Sequence, residues 1–145
     1  MAGDLLRESE RAAIISLKAD ASLLAILPKT SIDPVEEAPS WPFVRLDSSQ
    51  AVLRGRGCSA RSEVRFRLHS FAKPRRNTAG AILETAKDYA ARINSAVVAA
   101  LRSRAFEVSG RRYGFEVTSS DLMQDGAEKD AYHGIASILV RAYQG

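Results

Sequence analysis

Residues 63–72, EVRFRLHSFA, set Val64, Phe66 and Leu68 against Arg65, Arg67 and His69 in strict alternation. A period of two puts the apolar set on one face of a β-strand and the basic set on the other. A basic, proline-containing turn follows at 73–80, KPRRNTAG, and then the longest helical pattern in the chain. Ile82, Ala86, Tyr89, Ile93, Ala96, Val97, Ala100 and Leu101 recur at steps of three and four, one continuous apolar stripe. Glu84, Lys87, Asp88, Arg92 and Ser95 fall off it, with Asp88 and Arg92 spaced as a favourable i,i+4 pair. A strand and a helix that each have one face to bury are natural packing partners. Residues 63–104 are therefore predicted to form the centre of a sheet and the helix that covers it.

Outward from this centre, residues 4–19 read as a first helix, with Asp4 as N-cap and Glu8 and Glu10 near its positive end. Asp20 is placed to cap a short second turn, ASLLAIL, stopped by Pro28. Pro28, Pro34, Pro39 and Pro42 forbid both a helix and a central strand over 28–42, leaving an extended loop with a short edge strand around 31–33. A strand is expected at 43–47. Residues 48–61, SSQAVLRGRGCSAR, have no sustained period and read as a loop. A hairpin is expected over 106–117, turning at Ser109-Gly110, then an acidic loop over 118–130 and a final apolar strand over 131–142. The order predicts an α+β fold: an antiparallel sheet of about five to six strands, with an N-terminal helix and one long helix packed on one face. The length suits one domain over residues 1–145.

An apolar fraction of 46% with 26% charged residues is ordinary for a soluble globular chain. No run approaches the ~20 apolar residues of a membrane span, and MAGDLLRESERAAI is charged throughout, unlike a secretory signal. Cys58 is the single cysteine, which excludes an intrachain disulfide and a cysteine-rich metal site and fits synthesis in a reducing cytoplasm. The net charge of +4 is local in origin: residues 54–76 carry +7 and the remainder −3. The eight basic residues are Arg54, Arg56, Arg61, Arg65, Arg67, Lys73, Arg75 and Arg76, against Glu63 alone. The acidic counter-patch is Glu36 and Glu37 in the proline loop, with Asp121, Asp125, Glu128 and Asp130 near the last turn.

Catalytic signatures are missing. No HExxH, GxSxG, phosphate-binding glycine loop or CxxC pair occurs. His69 and His133 stand alone on predicted strands, where structural or surface roles suit them better than catalysis. Cys58 lies beside arginines that would lower its pKa, but it reads first as an incidental loop thiol. Neither an enzymatic activity nor a cofactor is predicted. The basic segment has three readings: a solvated sheet face, a partner for the acidic 116–130 or Glu36–Glu37 segment of a neighbouring copy, or a contact for nucleic-acid phosphates. The third would make the chain a small basic nucleic-acid-binding module, although only Phe66 and Phe71 are nearby to stack on bases. Trp41, between a serine and a proline, reads first as a plug at one end of the core and second as an exposed partner anchor.

Four segments taken in order resemble a known family. They are the opening helix leading into LLAILPKTSIDPVEEAPSWPFVRLD; then VRFRLHSFA; then a helix ending AARINSAVVAAL; and last DLMQDGAEKDAYHGIASILVRAY. Their succession is similar to the tail completion (tail terminator, head–tail joining) proteins of long-tailed phages, prophages and gene transfer agents. Phe71 stands where that family often carries an aromatic late in the central strand, and the Arg-rich 54–61 loop is longer than the family pattern. The resemblance implies a structural virion protein of the tail and neck, made in the bacterial host cytoplasm. It implies a homo-oligomer, a hexameric ring that caps the tail tube protein and joins it to the head–tail connector or stopper protein. DNA would pass through the ring's lumen without sequence-specific contacts. On that view the basic segment is interface or DNA-facing, the acidic patch meets it or the tube, and no membrane is involved.

Overall fold

The computed structural model describes residues 2–47, 49–53, 62–102, 104–108 and 110–143. Two helices open the chain, α1 (Ala2–Lys18) and the single turn α2 (Ala21–Leu24). Strands β1 (Phe43–Leu46), β2 (Gln50–Leu53) and β3 (Ser62–Ala72) follow, then a small hairpin of β4 (Arg75–Arg76) and β5 (Ile82–Glu84). Helix α3 (Ala86–Leu101) leads to β6 (Ala105–Val108), β7 (Arg111–Gln124) and β8 (Tyr132–Tyr143). The main sheet runs β1-β3-β8-β7-β6, with β2 also on β3, and every strand pair in it is antiparallel. The predicted α+β fold is the one observed.

Strand β3 is central because β8 borders it along its whole length while β1 and β2 share its other edge, pairing with residues 68–71 and 62–65. Val64, Phe66 and Leu68 are buried beneath the helices, as the alternation requires. They join Ala136, Ile138 and Val140 of β8 and Tyr113 and Phe115 of β7 in one core. Ala90, Ile93, Val97 and Leu101 of α3 close over it, with Leu5, Ala12, Ala13 and Leu17 of α1 beside them. Thr85 caps α3, its hydroxyl accepting from the Asp88 amide at 3.2 Å. Asp20 caps α2 as predicted, accepting from the Leu23 amide at 3.0 Å.

Several expectations are corrected. Helix α1 begins at Ala2, so Asp4 lies within its first turn and is not the cap. The edge strand expected at 31–33 is a 3-10 turn (Lys29–Ser31) followed by one parallel bridge between Ile32 and Val44. Asp33 at φ 50° turns the chain there, and Pro34 has no amide to continue a ladder. The stretch read as a loop from residue 48 contains β2, because β3 is long enough to pair a second strand. Ile82, expected at the start of the helical stripe, belongs to β5 and is half exposed; the helix starts only after the Thr85 cap. Arg92 pairs with Glu84 and not with Asp88, donating from Nε and Nη2 to its two carboxylate oxygens at 2.9 Å each. This bidentate geometry outcompetes a single i,i+4 contact. The acidic loop is shorter than expected: β7 continues through Asp121 to Gln124 along β8, leaving a turn at 125–131.

Candidate interaction surface

Helices cover one face of the sheet, and the other presents the alternate residues of the same strands. Arg65, Arg67, His69 and Phe71 of β3 lie there, level with Leu139, Ser137, Ile135 and His133 of β8. The arginine side chains are 58% and 59% exposed, so the predicted basic face exists. It is not bare, however. Glu63 stands 3.8 Å from Arg65 and Asp47 stands 3.6 Å from Arg67. Arg141 of β8 contacts Glu116 of β7 at 2.8 Å and Glu63 at 3.9 Å. The face is a ladder of alternating charges, and its net field is far weaker than +7 suggests.

Asp47, unremarked in the sequence, organises one end of this face. Its Oδ1 accepts from the Arg67 amide at 3.0 Å while its own amide donates to the Arg67 carbonyl at 3.0 Å. Its Oδ2 lies 2.8 Å from Nε2 of His69. The His69 ring stands 5.4 Å from that of His133, and Phe71 lies 5.1 Å from His133. Phe43 stacks on Phe71 at 4.8 Å, and Trp41 meets both phenyl rings edge-on at 5.3 and 5.8 Å. Burial, followed by the neighbouring His69, pushes the His133 imidazole below its ordinary value of 6.5. His69 and Asp47 have the separation of an acid–base pair; the rings of Phe71 and His133 stand beside His69, and Ser70 is buried in the helix-covered core. Trp41 is half buried in this aromatic cluster, on the opposite side of the sheet from the main core, with Nζ of Lys73 4.8 Å above its ring.

The other predicted site residues are dispersed. Lys73 also reaches Glu128 at 3.7 Å, joining a basic and an acidic candidate within one chain. Arg75 reaches Glu84 at 3.3 Å, and Arg76 donates to the Gly80 carbonyl at 3.1 Å; both belong to the β4–β5 hairpin and not to the sheet face. Hydrogen bonding from Arg92 holds the Glu84 carboxyl below its ordinary 4.5. Asp125 accepts from the Ala127 amide at 3.1 Å inside the last turn, while Asp121 and Asp130 are exposed. Glu36 and Glu37 lie in the exposed proline loop. Arg54, Arg56, Arg61 and Cys58 lie outside the described residues. Among the described residues, no group of three or more His, Cys, Asp or Glu is placed to hold a metal, and no helix is long and apolar enough to cross a membrane.

This fold has counterparts among known proteins. The family model of tail completion protein gp17 matches residues 12–143. The chain belongs to that family. A solved structure described as the virion of a native gene transfer agent particle contains a chain with the same fold: TM-score 0.73, 18% identity, and coverage of 94% of this chain and 96% of that one. No curated protein matches the chain. The resemblance drawn from the four segments is thus to the family whose model matches residues 12–143.

Proposed function

We propose that this tail completion protein is a virion component of the tail–neck region that assembles as a ring, six copies closing the end of the tail tube. The match over residues 12–143 carries this reading. The ring would sit between the tail tube protein and the head–tail connector, with DNA passing its lumen without base-specific contacts. Residues 1–145 would act as one domain, its helix-covered core serving as scaffold and its charged elements making contacts to other copies. The separation of an arginine-bearing sheet face from an acidic proline loop supports head-to-tail association, which closes into a ring where the rotation fits. The alternative of a nucleic-acid-binding module has less support. Glu63, Asp47 and Glu116 offset the arginines, and the nearby aromatic rings are spent on each other.

Native mass of the purified protein, alone and mixed with its tail tube protein, tests the reading. A sixfold species in either sample is the expected result. A monomer in both, together with DNA binding that weakens steeply with salt, would replace the ring with the nucleic-acid reading.

A further inference from the structure

We propose that an open hollow on the uncovered sheet face, beside Arg65 and Arg67, receives the Val35–Glu36–Glu37 loop tip of a second copy of this chain. This deepens the self-association reading and rests on it.

The loop has the properties of an inserted tip. Val35 is 97% exposed, the most exposed large apolar side chain among the described residues. The carboxylates of Glu36 and Glu37 are exposed and make no hydrogen bond or ion pair among the described residues. The backbone beneath them is nevertheless fixed. Nη2 of Arg45 donates to the Pro34 carbonyl at 3.2 Å and to the Glu36 carbonyl at 2.6 Å, and Asp33 turns the chain at φ 50°. A loop already held in shape loses little entropy on docking. Arg45 also ties it to the β1 edge, and within its own chain neither glutamate pairs with Arg65 or Arg67.

The hollow has complementary chemistry. It encloses about 600 Å³ and is lined by Gln50, Arg65, Arg67, Thr118, Ser137 and Leu139. Leu139 offers an apolar floor to a valine, and the hydroxyls and guanidinium groups surround it. Glu63 and Asp47 stand 3.8 and 3.6 Å from the two guanidinium groups, beyond hydrogen-bonding distance, and among the described residues neither guanidinium donates a hydrogen bond, which leaves both forks to incoming carboxylates. The other acidic segment fits less well as the occupant. Glu116 is engaged by Arg141, Glu128 by Lys73, and Asp125 by its own turn. Asp121 is fixed on β7 of the same sheet, and Asp130 lines a separate hollow together with Lys129 and Arg76.

Charge exchange tests the contact. E36K/E37K, R65E/R67E and the fourfold combination are compared by sedimentation with and without the tail tube protein, after circular dichroism has verified that each is folded. Each double variant is expected to weaken association roughly tenfold or more, the fourfold variant to recover most of that loss, and Val35→Asp to weaken it without altering the monomer. If R65E/R67E unfolds the chain, R65Q/R67Q replaces it, and weakened association in both that variant and E36K/E37K, without the fourfold comparison, is then the expected result. Wild-type association in both doubles, or no recovery in the fourfold variant, overturns the inference while leaving self-association standing. A wild-type protein that stays monomeric in every mixture overturns both. Normal association together with loss of DNA retention in R65E/R67E would overturn it in favour of a phosphate site.

Discussion

Gly134 of β8 lies directly beneath Asn94 of α3: a Cβ built on Gly134 would stand 2.6 Å from the Asn94 Cβ and 2.7 Å from its Cγ. At this point the sheet contributes no side chain, so the Asn94 side chain rests on the Gly134 backbone and donates from Nδ2 to the Ser120 hydroxyl at 2.8 Å. The contact ties α3 to β8 and β7 together.

Gly134→Ala must push α3 away from the sheet. An overpacking cost of about 1–3 kcal/mol is expected, measured as a lower midpoint in chemical denaturation. Asn94→Ala should not rescue it, because the offending Cβ remains. Asn94→Gly should recover part of the loss, less the ~1 kcal/mol a helical glycine costs.

Tyr113 is fully buried and donates its hydroxyl to Oε2 of Glu8, fastening β7 to α1. Burial, reinforced by that carboxylate, pushes the phenol up to about 12. Tyr113→Phe keeps the ring and removes the bond, and should cost about 1–2 kcal/mol. Glu8→Ala added to Tyr113→Phe should then cost less than Glu8→Ala alone, a coupling read by a double-mutant cycle.

The Glu84 carboxyl, held below 4.5 chiefly by its hydrogen bonds from Arg92, links the β4–β5 hairpin to α3. A depressed folded-state value contributes stability above the unfolded value and loses it as pH falls through 4.5 and lower. Glu84→Gln should cost about 0.5–1 kcal/mol at neutral pH and flatten the acid limb of the stability curve. An unchanged acid limb would show that the pair has no net worth.

His133 acts with the opposite charge. Its folded-state value is below 6.5, so between that value and 6.5 the unfolded chain binds a proton that the folded chain refuses. Stability should fall as pH drops through this window, with a slope of at most about 1.4 kcal/mol per pH unit for one proton. Asp125 opposes the effect and His69 adds to it, so His133→Gln should reduce the slope near pH 6 without reversing it.

What was legible in the sequence follows from where water lies. Strand β3 has a covered face and a wet one, so Val64, Phe66 and Leu68 announce themselves by alternation; α3 does the same through Ile93, Val97 and Leu101. The far end of β7 is exposed from Thr118 to Gln124, which removes the period and leaves a strand resembling an acidic loop. Ile82 and Leu83 mislead the other way, being apolar yet 52% and 59% exposed, with Ile82 in phase with the helix by accident. Arg65 and Arg67 stand on the outer face, where alternation puts them. Their neighbour Asp47 was hidden, because its partners come from β3, twenty or more residues along the chain.

The pairing of β3 with β8 also sets a clock. Its partners are 60 to 80 residues apart, from Ala72 with Tyr132 to Ser62 with Ala142. A ribosome adding about 5–20 residues per second needs several seconds to span that interval. Throughout it Val64, Phe66 and Leu68 have made half a core, and α3 has only part of a sheet to rest on. Contacts this distant are slow to form and leave sticky intermediates. The uncovered sheet face takes shape only once β8 is in place, so a nascent chain has no finished surface to offer a neighbour. In the proposed ring, contacts made through this face would wait for β8, and a half-made chain would be kept out by its own topology.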